Sequence, residues 1–393
     1  MRLASTSNRR EFLQQSAAMS AIMAAVPLAA HGADAALNSP ARMKVGVIGC
    51  GSVSQKYLPH LKQCPFVELV SVCDIIPERS VKAAERFGVP QHFSHIDQML
   101  GGPAFDLLVN LTDMQEHERL NRQALEAGKN VWSEKPLANS LEGGQALLAI
   151  AEQRGVKIWG APNVVQSPQF KFMAKEISKG TLGRIAAAHA SYGHLGPDWA
   201  EFFYSAGGGS MPDLAVYNLT FLTGILGAAQ SVVSMLSVVT PTRQIKGKGE
   251  VRVTSEDNAM VLLNHGNGVI SHIQSGFNYF APQQHDDERN AAHSIEIVGT
   301  GGTMQLAGYD WAPHGVDLAT HNEPRLKRYE VDRAGYAWES GASLAAECLA
   351  TGRELLMTPQ HALHVVEIIN AARASQETGR RIELTSKFTW PVV

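Results

Sequence analysis

Two short stretches of this chain place reactive groups where a ligand would lie. The first is Glu134-Lys135-Pro136, which places a lysine three residues past the run Asn130-Val131-Trp132. The second is the glycine turn Gly49-Cys50-Gly51-Ser52-Val53-Ser54, which follows the valine-rich run Lys44-Val45-Gly46-Val47-Ile48. In open parallel sheets, ligands bind outside the carboxyl ends of the strands, so Lys135 is expected to project into a cofactor crevice. The turn reads G-x-G-x-x-S. Gly49 permits the tight turn, and Gly51 lets backbone approach a pyrophosphate. Ser54 stands where a small residue packs helix against strand, a modest departure from glycine. Phosphates would rest on the following helix N-terminus, beside Ser52 and Val53. Asp74 ends the next apolar run, at the distance where an acid accepts hydrogen bonds from ribose hydroxyls. It would also repel the extra phosphate of NADP. NAD is therefore the expected cofactor, with Arg79 close enough to leave NADP open. The bland alternative for Asp74 is a helix cap before Pro77.

These residues need a sheet to hold them. Strand character at 44–48, 67–73, 105–111, 130–133 and 156–159 alternates with helical patterns, which predicts a doubly wound parallel sheet (α/β, Rossmann) over residues 43–163. From residue 164 to 393 the pattern changes. A helix at 169–177 precedes strand-like runs at 185–192, 231–239, 259–264, 269–276 and 293–298. Few helices intervene before a late one at 358–375. This predicts an α+β domain built on a largely antiparallel open sheet. The Lys- and Gly-rich stretch 242–250 is expected to be an exposed loop.

Gly49-x-Gly51-x-x-Ser54, Asp74, Thr112 with His117 five residues on, and Glu134-Lys135-Pro136 together resemble the Gfo/Idh/MocA family of oxidoreductases. In the second half the similar pieces are Gly180-Thr181-Leu182-Gly183-Arg184-Ile185, Gly207-Gly208-Gly209 followed by Asp213, and Ile295-Glu296-Ile297-Val298-Gly299-Thr300. The resemblance covers roughly residues 43 to 385. Asp113 departs from it, since proline is usual after the threonine. The resemblance implies an open sheet that covers the active site and often serves in oligomerisation, so a homo-oligomer (dimer or tetramer) is expected. It also implies that Asp213 and the residue four later face substrate beside Lys135. Many members carry histidine there. With Tyr217 there, this chain resembles the tyrosine-bearing branch, which includes glucose–fructose oxidoreductase and dihydrodiol dehydrogenase.

Those roles have a chemical rationale. Oxidising a secondary alcohol requires a proton to leave oxygen as hydride leaves carbon. A free phenol, with a pKa near ~10, is a poor base at neutral pH. A neighbouring ammonium would lower that value. Tyr217 is thus expected to transfer the proton, with Lys135 as its electrostatic partner and Asp213 orienting a substrate hydroxyl or Lys135. Asp213 as a helix cap and Tyr217 as a packing aromatic are the alternatives. Thr112, His117 and Glu134 are expected near the nicotinamide; Glu134 steadies the lysine loop, and His117 either lines that region or packs its helix. Asn163, His194, Trp199 and Tyr204 are the expected substrate contacts. Three of them lie in an aromatic-rich stretch that fits either the faces of a sugar or a seam between domains. His285-Asp286-Asp287 point in different directions along a polar stretch, so no metal site is expected.

Bulk properties narrow the partners. The chain has 393 residues, a net charge of −3 and no lysine- or arginine-rich run, which argues against nucleic acid. Near the start, Asn8-Arg9-Arg10-Glu11-Phe12-Leu13 precedes an apolar stretch at 17–30 and the small-x-small site Ala33-Asp34-Ala35. The stretch falls short of the ~20 residues of a membrane span. It resembles a twin-arginine export signal over residues 1–35, with a linker at 36–42. That implies a periplasmic protein with no stable membrane anchor, passed folded by the twin-arginine machinery. Cys50, Cys64, Cys73 and Cys348 fit no metal motif and read as structural. Free nicotinamide cofactor is scarce outside the cytoplasm, so the cofactor is expected to stay tightly bound. The expected activity is hydride transfer to or from a sugar, polyol or glycoside. The alternative is an NAD-dependent glycoside hydrolase or lyase working by transient oxidation and elimination.

Overall fold

A computed structural model describes residues 42–280, 292–332 and 335–393. The paired arginines, the apolar stretch after them and His285-Asp286-Asp287 lie outside the described residues.

The first sheet is made of β1 (Met43–Ile48), β2 (Val67–Cys73), β3 (Gln91–Phe93), β4 (Leu107–Asn110), β5 (Asn130–Ser133) and β6 (Ile158–Gly160). Its order is β3-β2-β1-β4-β5-β6, and every pairing is parallel. The order reverses beside β1, between β2 and β4, and there the crevice opens for a ligand. Val45, Val47, Leu107, Leu108 and Val109 are fully buried, because helices cover both faces. The helix Gly341–Thr351, from the second half of the chain, joins this core. Its Ala342, Ala345 and Ala346 cluster with Val45, Trp132 and Trp159.

The second sheet has nine strands, in the order β16-β15-β14-β13-β7-β12-β11-β8-β17. They are β7 (Ile185–Gly193), β8 (Ser231–Ser237), β11 (Asn258–Gly266), β12 (Val269–Gly276), β13 (His293–Gly299), β14 (Gly302–Tyr309), β15 (Ala312–Thr320), β16 (Lys327–Tyr329) and β17 (Ile382–Glu383). Only β7 and β12 pair in parallel; the sheet is antiparallel elsewhere, as the sequence predicts. One face packs on the helices Val216–Leu226 and Pro359–Thr378. The other leaves Val233, Met235, Met260, Leu262 and Ile270 exposed.

One local reading fails. Residues 242–250 are not a free loop but most of a hairpin, β9 (Thr242–Ile245) paired with β10 (Gly249–Arg252). Ile245 and Val251 anchor it in a small core with Phe203, Tyr204 and Phe277. Distant aromatics supply the burial that a lysine- and glycine-rich segment lacks in itself.

Candidate active site

The cofactor side of the site starts at the turn after β1. Gly49 has φ +90°, and a Cβ there would lie 2.5 Å from the backbone of Leu111. Only glycine fits, because this turn crosses the end of β4 in contact. Gly51 is different: a Cβ would meet no atom within 4 Å. Its open side faces the cleft and fits a closely approaching phosphate. Ser54 folds back, its hydroxyl donating to the Gly51 carbonyl at 2.6 Å. The helix Ser54–Gln63 therefore begins at the turn with its N-terminal amides toward the same space.

Asp74 is buried, and each carboxylate oxygen accepts one backbone amide: Cys50 N and Ile76 N, both at 2.8 Å. It does not act as N-cap of the next helix, a place taken by Ile76. Its oxygens keep further lone pairs for a ribose, and Arg79 lines the cleft nearby.

The chemical end of the site is built on β5. Glu134 accepts from the Tyr57 hydroxyl at 2.6 Å and from the Lys135 amide at 3.1 Å, so it fixes the lysine loop, as the sequence predicts. His117 stands between the Pro136 carbonyl (Nδ1, 2.8 Å) and the Thr112 carbonyl (Nε2, 3.0 Å). Burial lowers its pKa, so the ring is neutral and donates to one of the two carbonyls. Thr112 in turn donates to Asn110 at 2.7 Å.

Lys135 reaches across to the second half of the chain. Its ammonium donates to Asp213 Oδ1 at 2.6 Å and to the Asp213 carbonyl at 2.9 Å. It also lies 5.2 Å from the centre of the Tyr217 ring. Asp213 sits on a π-helical turn, Met211–Ala215, that runs into the helix Val216–Leu226 carrying Tyr217. Single π-turns of this kind frequently mark functional sites. The turn is held from outside. Gly209 has φ +108°, and a Cβ there would strike Glu256. The Glu256 carbonyl accepts from Ser210 N, and its carboxylate pairs with Arg373, which also donates to the Gly208 carbonyl.

One electrostatic expectation is overturned. The ammonium of Lys135, 5.2 Å from the ring, does not set the direction of the Tyr217 shift. Burial, then the Glu134 and Asp213 carboxylates, push the phenol well above 10. Desolvation opposes the charge on Lys135, but Asp213 and Glu134 outweigh it and raise its pKa. The resting pair is thus a neutral phenol beside a paired ammonium.

A cleft of about 720 Å³ joins both ends, a size suited to a small-molecule ligand. Gly51, Ser52 and Val53 line one end, and Lys135, Asp213 and Tyr217 the other; Thr112, His117, Glu134 and Trp199 also face it. Three expected substrate contacts are not in its lining. Asn163 is buried and donates to Ser340 at 3.0 Å, away from the cleft. Tyr204 is buried too, with its hydroxyl spent on the Pro197 carbonyl at 2.7 Å. His194 accepts from Gly196 N at 2.9 Å and stacks on Phe277. For His194 and Tyr204 the aromatic-rich stretch serves packing within the second half of the chain rather than the cleft.

Sequence reasoning missed Gln55, Lys56 and Trp338 in the lining, and Tyr57 beneath it. The three that follow or hold the helix start could be sought in the first turns after the glycine motif, whereas Trp338 carries no local signal. Also missed is Asp310, fully buried, which accepts from Asn218, the neighbour of Tyr217, at 2.8 Å. Burial pushes its carboxyl up to about 7. With the folded-state value above the unfolded one, its stabilisation is complete below pH 4 and lost as pH rises toward 7. The slope is at most about 1.4 kcal/mol per pH unit. An Asp310→Asn variant should therefore gain in melting temperature relative to the natural protein between pH 4 and 8. A difference that stays constant across thermal melts in that range would refute the assignment.

Comparison with known proteins agrees with this geometry. Residues 43–161 match the family model described as "Oxidoreductase family, NAD-binding Rossmann fold". Residues 170–305 match the "GFO/IDH/MocA C-terminal domain". The D-apiose dehydrogenase of Paraburkholderia graminis is 24% identical over 358 residues, covering 88% of this chain and 90% of that protein. The 1,5-anhydro-D-fructose reductase of Ensifer adhaerens is 25% identical over 264 residues, 66% of this chain and 74% of that one. A levoglucosan dehydrogenase solved with NADH shares the fold, with a TM-score of 0.77 at 19% identity, over 88% of this chain and 100% of its own. With matches across both sheets and a glycine turn shaped for a dinucleotide, this chain belongs to the GFO/IDH/MocA family of oxidoreductases with an NAD-binding Rossmann fold.

Proposed function

We propose that this oxidoreductase moves hydride between its nicotinamide cofactor and a carbohydrate hydroxyl or carbonyl carbon. The observation that carries the reading is the Lys135–Asp213 pair beside Tyr217, at the far end of the cleft from the glycine turn. The named relatives add support: D-apiose, 1,5-anhydro-D-fructose and levoglucosan are all sugars or sugar derivatives.

When bound, the nicotinamide supplies the hydride acceptor or donor. Gly51, Ser52, Val53 and Asp74 would hold the dinucleotide, with Thr112, His117 and Glu134 shaping the nicotinamide end. The protein's own groups handle the proton. Lys135 and Tyr217 both carry protons at neutral pH, so both can donate to a substrate oxygen. During reduction that oxygen gathers charge as its carbon gains hydride, and the two donors stabilise and then protonate it. In the oxidative direction the same ammonium holds the alkoxide-like oxygen. The proton passes to Tyr217 only as the phenol gives up its own to solvent or a neighbour. Asp213 keeps Lys135 aimed and offers an acceptor for an adjacent hydroxyl.

Retention of the cofactor and export through the twin-arginine route are parts of the same proposal, supported by Arg9-Arg10 and the apolar stretch after them. One experiment tests the set. Protein purified from the periplasm is denatured, released cofactor is identified by mass spectrometry, and the intact protein is turned over on a panel of sugars and glycosides. Bound NAD(H) and an oxidised or reduced sugar are expected. Cofactor-free cytoplasmic protein, or cleaved glycoside with no redox change, would sink the corresponding part.

A further inference from the structure

A second cavity, of about 530 Å³, adjoins the catalytic cleft. The two share Asp113, Trp199, Ala200 and Phe202 in their walls. Its outer wall is the β9–β10 hairpin, which contributes Ile245, Lys246, Gly247 and Lys248. The hairpin is tied to the aromatic loop by Lys246 N donating to the Asp198 carbonyl at 2.7 Å. The cavity is thus a built feature of the fold, assembled from segments distant in sequence.

Its chemistry points to a neutral, hydroxyl-rich ligand. Trp199 is 55% exposed, although it lies between two cavities. Phe203 packs against its ring edge to face, with the centroids 5.6 Å apart. An indole so packed offers an apolar face to the C–H face of a sugar ring. Four of the five charged groups in the cavity wall are paired, Lys246 with Asp198 at 2.9 Å, Lys248 with Glu201, and Glu116 with Arg119, and Asp113 adds a carboxylate that can accept from hydroxyls. Paired charges leave little net field to attract an ion, yet their oxygens and ammonium protons can still bond hydroxyls.

Resting on the carbohydrate reading above, we infer that this cavity holds a second sugar unit, with Trp199 between it and the ring that reacts at Lys135 and Tyr217. The substrate class is then a disaccharide, or a glycoside with a sugar aglycone, rather than a free monosaccharide.

The test is binding by calorimetry in the presence of NAD, with cellobiose, maltose and lactose set against glucose and galactose. At least one disaccharide should bind ten-fold or more tightly than either of its component sugars. In Trp199→Ala that advantage should fall to about one. No advantage in the natural protein, or one that survives the substitution, overturns the inference. Turnover of the monosaccharides separates the two failures: sugars that react without a disaccharide advantage leave the carbohydrate reading standing, whereas a chain that neither binds nor turns over any sugar loses both.

Discussion

Replacing Lys135 with methionine is expected to lower kcat/KM by about 10³-fold, because one change removes both a donor to the substrate oxygen and the charge that stabilises it. The variant should lose stability as well. Asp213 would remain in a nearly closed site, its side chain 12% exposed, without its cation. Breaking such a pair from one side costs about 3–5 kcal/mol. The double variant Lys135→Met/Asp213→Asn separates the two effects. It should recover much of the stability, since no lone carboxylate is left, and none of the activity. Steady-state kinetics and chemical denaturation read the two quantities. A Lys135→Met protein that keeps a tenth of its activity would place the chemistry elsewhere.

The second large effect concerns Tyr217. Tyr217→Phe should reduce kcat by about 10²-fold or more with KM nearly unchanged, because the ring still packs and only the proton is lost. The pH profile is the sharper readout. The phenol is held above its ordinary value by burial and by Glu134 and Asp213, and the lysine is raised by the same carboxylates. Both donors stay protonated through neutral and mildly alkaline pH. The rate of carbonyl reduction should then be flat from about pH 6 to 9. An alkaline limb near pH 8 that vanishes in Tyr217→Phe would instead mean that Lys135 lowers the phenol pKa once substrate is bound.

Much of the fold was legible because its signals are local. Each strand of the first sheet except β3 is a short apolar run between a helix end and a turn, and Gly49 and Gly51 mark the phosphate turn by backbone needs alone. β3 is three residues of mixed polarity, Gln91–Phe93, with little burial to show in the sequence. The strands after β13 were missed for a related reason: their alternation is broken by glycine and polar residues, and burial comes from partner strands.

The site divides along the same line. The sequence by itself determined that Lys135 leaves a strand end at a nucleotide crevice and that Asp213 and Tyr217 share a helical face. These follow from residue spacing and from the periods of strand and helix. Only the tertiary structure decided what surrounds them. It put Asp213 on the ammonium and buried the Tyr217 phenol near the Glu134 and Asp213 carboxylates, and so reversed the expected direction of the phenol's shift. It buried Asn163 and Tyr204 and left Trp199 open between two cavities. Desolvation and charge pairing depend on atoms brought together from far apart in the chain, and no local pattern encodes that distance.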